Sequence, residues 1–422
     1  MRAVLAQYGN RCIDKENAVT TAQEFRSTIG ALMEEGAVAG ISVTSKYDSL
    51  SGMTVTPPAG TIRQGGEVVG FFETVDDGKA ATIDTWGSQA SRCEALLASR
   101  FRGGTSTLAE VVGFPLVVLV DEEGEVLTTS VELSHRQADA TWRLIRDELT
   151  AKGIDFEGIQ NATRAQPDAL LTGFPTAIPF GWWHSQTKRS QKAVDDANKG
   201  GKKSGRKDAR ELNATRDKYL GYYVMNPAES RSARLFTSEI IATGVSERRR
   251  MAGKTDPLFA AVGKEVTIQG VKLSNLGLGS MPPLAVAGAP SDLTYNSIVG
   301  KAFFSLAGLR TFAFSRPEPA RALVVSLTLL LYRLLQEQLD LRAGAELRLR
   351  EPGLEAKVER HGAPSEPLAL PEVDELVDLV RDLGQEIGWN GATTVAVTHD
   401  SPLGKIILAV DGRKTTDGRS DE

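Results

Sequence analysis

Residues 88–101 read Ser-Gln-Ala-Ser-Arg-Cys-Glu-Ala-Leu-Leu-Ala-Ser-Arg-Phe. Ala90, Cys93, Leu97 and Phe101 recur at steps of three and four, so the stretch predicts a helix with one apolar stripe. Ser88 and Arg92 lie one turn apart on a different face. The helix thus has one side for a core and another that carries a cation. Cys93, on the apolar stripe, reads as a buried structural thiol.

Working outward, the chain alternates between helical and extended patterns. Residues 23–35 have helical composition, and Pro57, Pro58 and Gly60 then break the chain. Residues 115–120 (PLVVLV), the polar DEEGE and the β-rich VLTTSVEL read as a hairpin. Ala138, Trp142, Ile145 and Leu149 fall at helical spacing, which predicts a helix over 134–149. Residues 320–339 form a long apolar helix by composition. Residues 371–386 give the clearest helical pattern. Pro371 suits its first turn, Val373, Leu376, Val377, Val380, Leu383 and Ile387 make its stripe, and Gly388 can close it. ATTVAVTHD and GKIILAVD (392–400 and 404–411) predict two strands joined by a Ser-Pro-Leu-Gly turn. No internal repeat is visible.

The middle of the chain differs. Residues 188–218 hold eleven Lys or Arg against five Asp or Glu. With so little apolar surface to bury, the stretch reads as a basic flexible insertion. Residues 412–422 read as a disordered tail. The expectation for the whole chain is one elaborated α+β domain over residues 1–422.

The chain has 422 residues, 41% of them hydrophobic and 24% charged, enough for a sizeable core. Net charge is -5, so any nucleic-acid site must be local rather than a general basic coat. Two cysteines, Cys12 and Cys93, are too few for a disulfide framework or a Cys-built zinc site. The opening MRAVLAQYGNRCIDKEN has no apolar secretion core, and ALVVSLTLLLY (322–332) is about half the ~20 residues that span a bilayer. The expectation is a cytoplasmic protein without membrane contact.

Few patterns point to catalysis. His135, His184, His361 and His399 show no HExxH-type spacing, so no metal site is expected. Neither a P-loop nor a strand-bound GxGxxG occurs, and Pro282 and Pro283 stop a helix from following the glycines at 277 and 279. No GxSxG elbow is present. No cofactor and no catalytic residue are assigned. The positive signals are basic. Lys188, Arg189, Lys192, Lys199, Lys202, Lys203, Arg206 and Lys207 form one cluster, and Arg248, Arg249 and Arg250 another, with Arg231 and Arg234 between them. Such residues neutralise phosphates and release counterions; an ordinary solvated loop has the same composition. Gly181-Trp182-Trp183-His184 adds rings beside the cations, which suits either base stacking or a core.

Taken together these residues resemble a known family. Ser88-Gln89-Ala90-Ser91-Arg92-Cys93-Glu94 resembles the SQ-x-N-R-x-E signature of the backbone subunit of type I-G (formerly I-U) Cascade-type CRISPR effector complexes, in the RAMP superfamily; Ser91 stands where that signature has Asn. Ser134-His135-Arg136 resembles its A-H-R element. Arg234 to Ala242 (RLFTSEIIA) is similar to its R-x-L-x-S-x-I-x-A segment, and residues 277–283 (GLGSMPP) to its glycine loop ending in two prolines. Leu309-Arg310 and Asp340-Leu341-Arg342 follow in the family's order.

The resemblance implies an RRM-like (ferredoxin-like) palm with large insertions that form thumb and finger elements. It implies a non-enzymatic subunit that binds guide RNA (crRNA), polymerises head to tail along the spacer, and supports pairing of guide with target DNA. Its partners would include a large subunit and a fused guide-end-binding and processing subunit. The RNA-binding residues would be Ser88, Gln89, Arg92, His135, Arg136, Arg231, Arg234, Gly277, Gly279 and Ser280. The basic loop and the arginines at 248–250 would be a finger touching nucleic acid. The alternative is a RAMP endoribonuclease acting on guide precursor or target RNA, with His135 as base and Asp84 or Asp139 as acid.

Overall fold

The computed structural model describes residues 20–58, 62–64, 67–69, 72–75, 78–183, 231–248, 258, 267–268, 270–272, 278 and 292–417. The basic insertion at 188–218, Arg249, Arg250, Gly277, Gly279 and Ser280 lie outside the described residues.

The elements that position the site are α1 (Ala22–Glu34), β1 (Val38–Ser49), β2 (Phe72–Val75), β3 (Gly78–Asp84), α2 (Trp86–Ala98), β4 (Val117–Val120), β5 (Val126–Thr129), β6 (Phe236–Thr243), β7 (Ser297–Ser305), α3 (Pro317–Glu337), β8 (Leu347–Leu349), β9 (Glu355–Arg360), β10 (Glu366–Pro367), α4 (Val373–Ile387), β11 (Thr393–Ala396) and α5 (Pro402–Asp417). The main sheet runs β10-β9-β1-β7-β6-β3-β2, with β8 also paired to β1. Every neighbouring pair in it is antiparallel.

The strand sequences explain this sheet. β1 alternates apolar and polar: Ile41, Val43 and Tyr47 are buried, while Lys46 is exposed. β6 and β7 repeat the pattern, burying Phe236, Ile240, Ala242, Ile298, Ala302 and Phe304. One face of the sheet therefore faces a core. α2 and α3 cover that face, with α2 against β6 and α3 against α2. α1 and α4 pack on α3 from the other side. α3 is apolar nearly all round because it lies between these layers; Leu323, Leu329, Leu330 and Leu331 are wholly buried. Each such leucine contributes about 1.5–3 kcal/mol by burial. Among the described residues no helix is long and apolar enough to cross a membrane.

Connection order matters here. β1 and β6 both flank β7, so they run parallel to each other. β7 and β9 both flank β1 and do likewise. α2 lies on the path from β1 to β6, and α3 on the path from β7 to β9. The sheet thus holds two strand–helix–strand units, each split by a strand of the other.

Several expectations hold. The helix read from 88–101 runs Trp86–Ala98 and buries Ala90, Cys93 and Leu97. The β4–β5 hairpin forms. α4 ends on Gly388 in a left-handed conformation, φ 104°, whose N–H donates to Gly384 and Gln385 carbonyls.

Two expectations are corrected. Residues 404–411 are helical, not a strand. Ser401 Oγ accepts from Gly404 N–H at 3.0 Å, so Ser-Pro is an N-cap followed by a first-turn proline rather than a strand turn. β11 pairs instead with β4, in parallel. The helix expected over 134–149 is broken into Arg136–Ala138, Ala140–Leu144 and Arg146–Ala151. Asp139 Oδ1 accepts from Thr141 N–H and restarts the helix, and Ile145 (φ -126°, ψ 26°) interrupts it again. Its four apolar residues are buried all the same. α5 reaches into the segment expected as a tail, and residues 418–422 lie outside the described residues.

Candidate nucleic-acid interface

The site is built around α2. Thr85 accepts from Ser88 N–H and starts the helix. Just before it, at the end of β3, Asp84 is 1% exposed. Gln89 Nε2 donates to Asp84 Oδ2. Arg92 Nε stands 3.6 Å from the same oxygen, and Arg342 Nη2 lies 4.0 Å from Oδ1. The two arginines also donate to backbone: Arg92 to the carbonyls of Asp340 and Leu341, Arg342 to those of Thr56 and Ile83. Burial pulls the Arg342 guanidinium below its ordinary pKa, a shift that Asp84 opposes and Arg92 reinforces. A buried carboxylate needs this many donors. Asp84 is thus the point where the SQ-containing segment and Asp340-Leu341-Arg342, some 250 residues downstream, are tied together.

On the other flank of α2, Glu94 binds Arg136 through two bonds of 2.7 Å each. This is a forked, buried pair, with side chains 5% and 11% exposed. Arg136 Nη1 also donates to Gly181 O, and its guanidinium lies 5.6 Å over the Phe180 ring. Arg136 adopts φ 51°, a left-handed conformation rare outside glycine. Trp142 Nε1 donates to its carbonyl and holds it there. Gly181, at φ 76°, passes so close to the chain at 232–234 that a Cβ would fall 2.6 Å from Ser232 O.

The sequence-expected residues therefore divide. Ser88 is half-buried, and its Oγ accepts from Arg92 Nε. Arg92 keeps 32% of its side chain exposed. Gln89 is 1% exposed and Arg136 9%, so both are structural ties rather than groove-lining groups. His135 is exposed, and its backbone carbonyl accepts from Ala138 N–H. Arg234 is exposed, with its guanidinium against the first turn of α2: Nη2 lies 3.9 Å from where a Gly87 Cβ would be. Partial burial, then the like charge of Arg136, lower its pKa. Arg231 sits opposite Trp183 in a two-stranded ribbon, and Arg248 is exposed. Lys188, Arg189, Lys199, Lys202, Lys203, Arg206 and Lys207 are not among the described residues.

The two adjacent tryptophans part company. Trp182 is buried, edge-on to Phe312 at 6.3 Å, while Trp183 is 63% exposed. Sequence reading missed Trp86, which is 53% exposed. Its spacing to Ala90, Cys93 and Leu97 places it on the buried stripe. It escapes burial because it is the first residue of the helix.

No group of His, Cys, Asp and Glu able to hold a metal occurs among the described residues. Cys93 is wholly buried, and burial raises its thiol pKa strongly. Of the acids considered for RNA cleavage, Asp84 is buried under its donors, and Asp139 caps Ala140–Leu144.

Fold and site together define a mixed α+β protein with an antiparallel sheet and an arginine-flanked helix on one of its faces. Residues 41–195 match the family model of CRISPR-associated protein GSU0053 (Cas_GSU0053). That segment holds Asp84, Gln89, Arg92, Glu94 and Arg136, and the similarity points to a role in CRISPR defence. No curated protein matches the chain.

Proposed function

We propose that the chain is a non-catalytic guide-RNA-binding backbone subunit of a type I CRISPR interference complex. It stacks head to tail along the spacer, and it leaves the guide free to pair with target DNA. The observation that carries this reading is the strand order β9-β1-β7-β6 with α2 and α3 on one face. That order, with its two interleaved strand–helix–strand units, is the arrangement expected of an RRM-like (ferredoxin-like) palm. The similarity of residues 41–195 to a CRISPR-associated protein supports the setting. Arg92 and Arg234, both partly solvent-facing beside α2, supply cations for a phosphate backbone without making the whole chain basic.

In this reading the segments beyond the palm are its thumb and finger. The basic cluster from Lys188 to Lys207 and Arg248 to Arg250 would contact nucleic acid. Further copies of the chain, a large subunit and a subunit that binds or processes the guide end would be its partners, in the cytoplasm. Base pairing reads sequence, and the protein reads backbone and shape.

The test is to purify the chain alone and with the neighbouring effector subunits, then to extract and sequence bound nucleic acid. Guide-length RNA with repeat-derived ends, in assemblies of several copies, is the expected result. Clean protein under both conditions would refute it. RNA cleavage that disappears on changing His135 would favour an endoribonuclease instead.

A further inference from the structure

We propose that Trp86 and Arg234 form a stacking site for one unpaired nucleotide of a single strand, the ring of Trp86 taking the base and Arg234 the adjoining phosphate. The inference rests on the nucleic-acid reading above and adds to it a residue and a mode of contact.

Both residues lie at the first turn of α2, Trp86 as its opening residue and Arg234 packed against Gly87, where no side chain intervenes. Trp86 is 53% exposed. An exposed tryptophan alone would mean little. Arg234 decides its meaning, because it has no hydrogen bond and no carboxylate partner among the described residues. Its nearby charges are Arg136, a like charge, and Glu94, which Arg136 already holds through both oxygens. Together they form a local cation that wants an anion, one residue along the helix from an exposed ring that can take a flat partner.

A nucleotide supplies both. Rings stack on bases whatever their identity, and guanidinium groups pair with phosphate in forked geometry. An apolar protein surface laid over Trp86 would bury the Arg234 charge without compensation, which is costly. The opposite flank of α2 fits the same ligand. Arg92 is five residues beyond Gly87, about 140° around the helix at 3.6 residues per turn. Ser88 and Ser91 project between these flanks. A strand stacked on Trp86 can therefore cross the polar face of α2 with an arginine on either side. A duplex cannot, because its bases are already stacked on each other.

The experiment is fluorescence anisotropy on the full chain, with a labelled single-stranded RNA of mixed sequence, the same sequence as single-stranded DNA, and the RNA duplex. Trp86→Ala is expected to weaken single-strand binding by about 5- to 150-fold, the range for one stacked base. It should leave the salt slope unchanged and barely affect the duplex. Trp86→Phe should recover most of the loss. Arg234→Ala should flatten the salt slope by about 0.7. A larger loss on RNA assigns the site to the guide, and a larger loss on DNA assigns it to the target. Wild-type affinity in Trp86→Ala, with the wild-type chain binding normally, would overturn the inference and leave the backbone reading standing. A wild-type chain that binds no single strand would overturn both. If Trp86→Ala lowers the unfolding midpoint, the exposed Arg234→Ala variant decides, and an unchanged slope there also overturns the site.

Discussion

Replacing Glu94 by Ala should destabilise this protein more than almost any other single change near α2. The substitution leaves the Arg136 guanidinium, 11% exposed, without its carboxylate. One carbonyl bond to Gly181 and the face of Phe180 remain, neither of which carries a charge. Removing one member of a buried pair typically costs about 3–5 kcal/mol, because the survivor is desolvated and uncompensated. With a urea slope of about 3 kcal/mol per M, that loss moves the unfolding midpoint down by about 1–1.7 M. Arg136→Ala should cost a similar amount, since it strands Glu94 at 5% exposure. The double variant distinguishes a coupled pair from two unrelated lesions. If the two groups act on each other, the double change costs at least about 2 kcal/mol less than the sum of the single changes. The reasoning fails if the single changes each cost under about 1 kcal/mol, or if the double variant equals their sum. Failure would mean that water reaches the pair in solution and screens it.

Three further outcomes are expected of the same fold. Arg92→Ala should weaken RNA binding for all sequences alike and flatten the salt slope by about 0.7, and an unchanged slope removes Arg92 from the interface. Burial pushes the Tyr47 hydroxyl pKa up to about 12. The unfolded chain releases that proton near pH ~10, so the folded state holds more protons between those values and stability should fall as pH rises through the window, by up to about 1.4 kcal/mol per pH unit. Urea titrations in that range should show a shallower fall for Tyr47→Phe, the remainder belonging to Tyr332, whose pKa burial also raises; an unchanged fall contradicts the assignment. Gly300→Ala places a Cβ 2.3 Å from Ser45 Oγ and 2.7 Å from the Tyr47 hydroxyl in the middle of the sheet. It should cost about 1–3 kcal/mol by overpacking, read as a lowered urea midpoint.

The helices that bury a stripe were legible because their period is local. α2, α3 and α4 lie within a few residues of where the apolar spacing put them, and the Gly388 stop was visible in the chain. The same spacing would put Trp86, which the sequence reading passed over, on the buried stripe, whereas it is exposed: helical period sets angular position, and nothing in it says where the neighbouring layer ends. It misread residues 404–411 too, since a short apolar run fits a strand or a helix equally, and Ser401 with Pro402 tipped the choice toward helix. Gln89 was expected in a groove because the SQ-containing signature it belongs to implied an RNA contact there. It is inside because Asp84, five residues earlier, is buried and requires a donor.

Residue types and their spacing alone determined that this chain can fold around a sizeable core and that the stretches of α2, α3 and α4 are helical, because these depend on residue type and on neighbours a few positions away. Only the tertiary structure decided the strand order β9-β1-β7-β6, the union of Asp84 with Arg92 and Arg342, and the capture of Arg136 by Glu94. Apart from Asp84 and Arg92, which are 8 positions apart, these pairings join residues 42 to 322 positions apart. Chain entropy makes many such pairings comparable in cost, since closing a longer loop adds only slowly to it. What selects among them is the burial of charge, which is tolerable only where a partner is already in place.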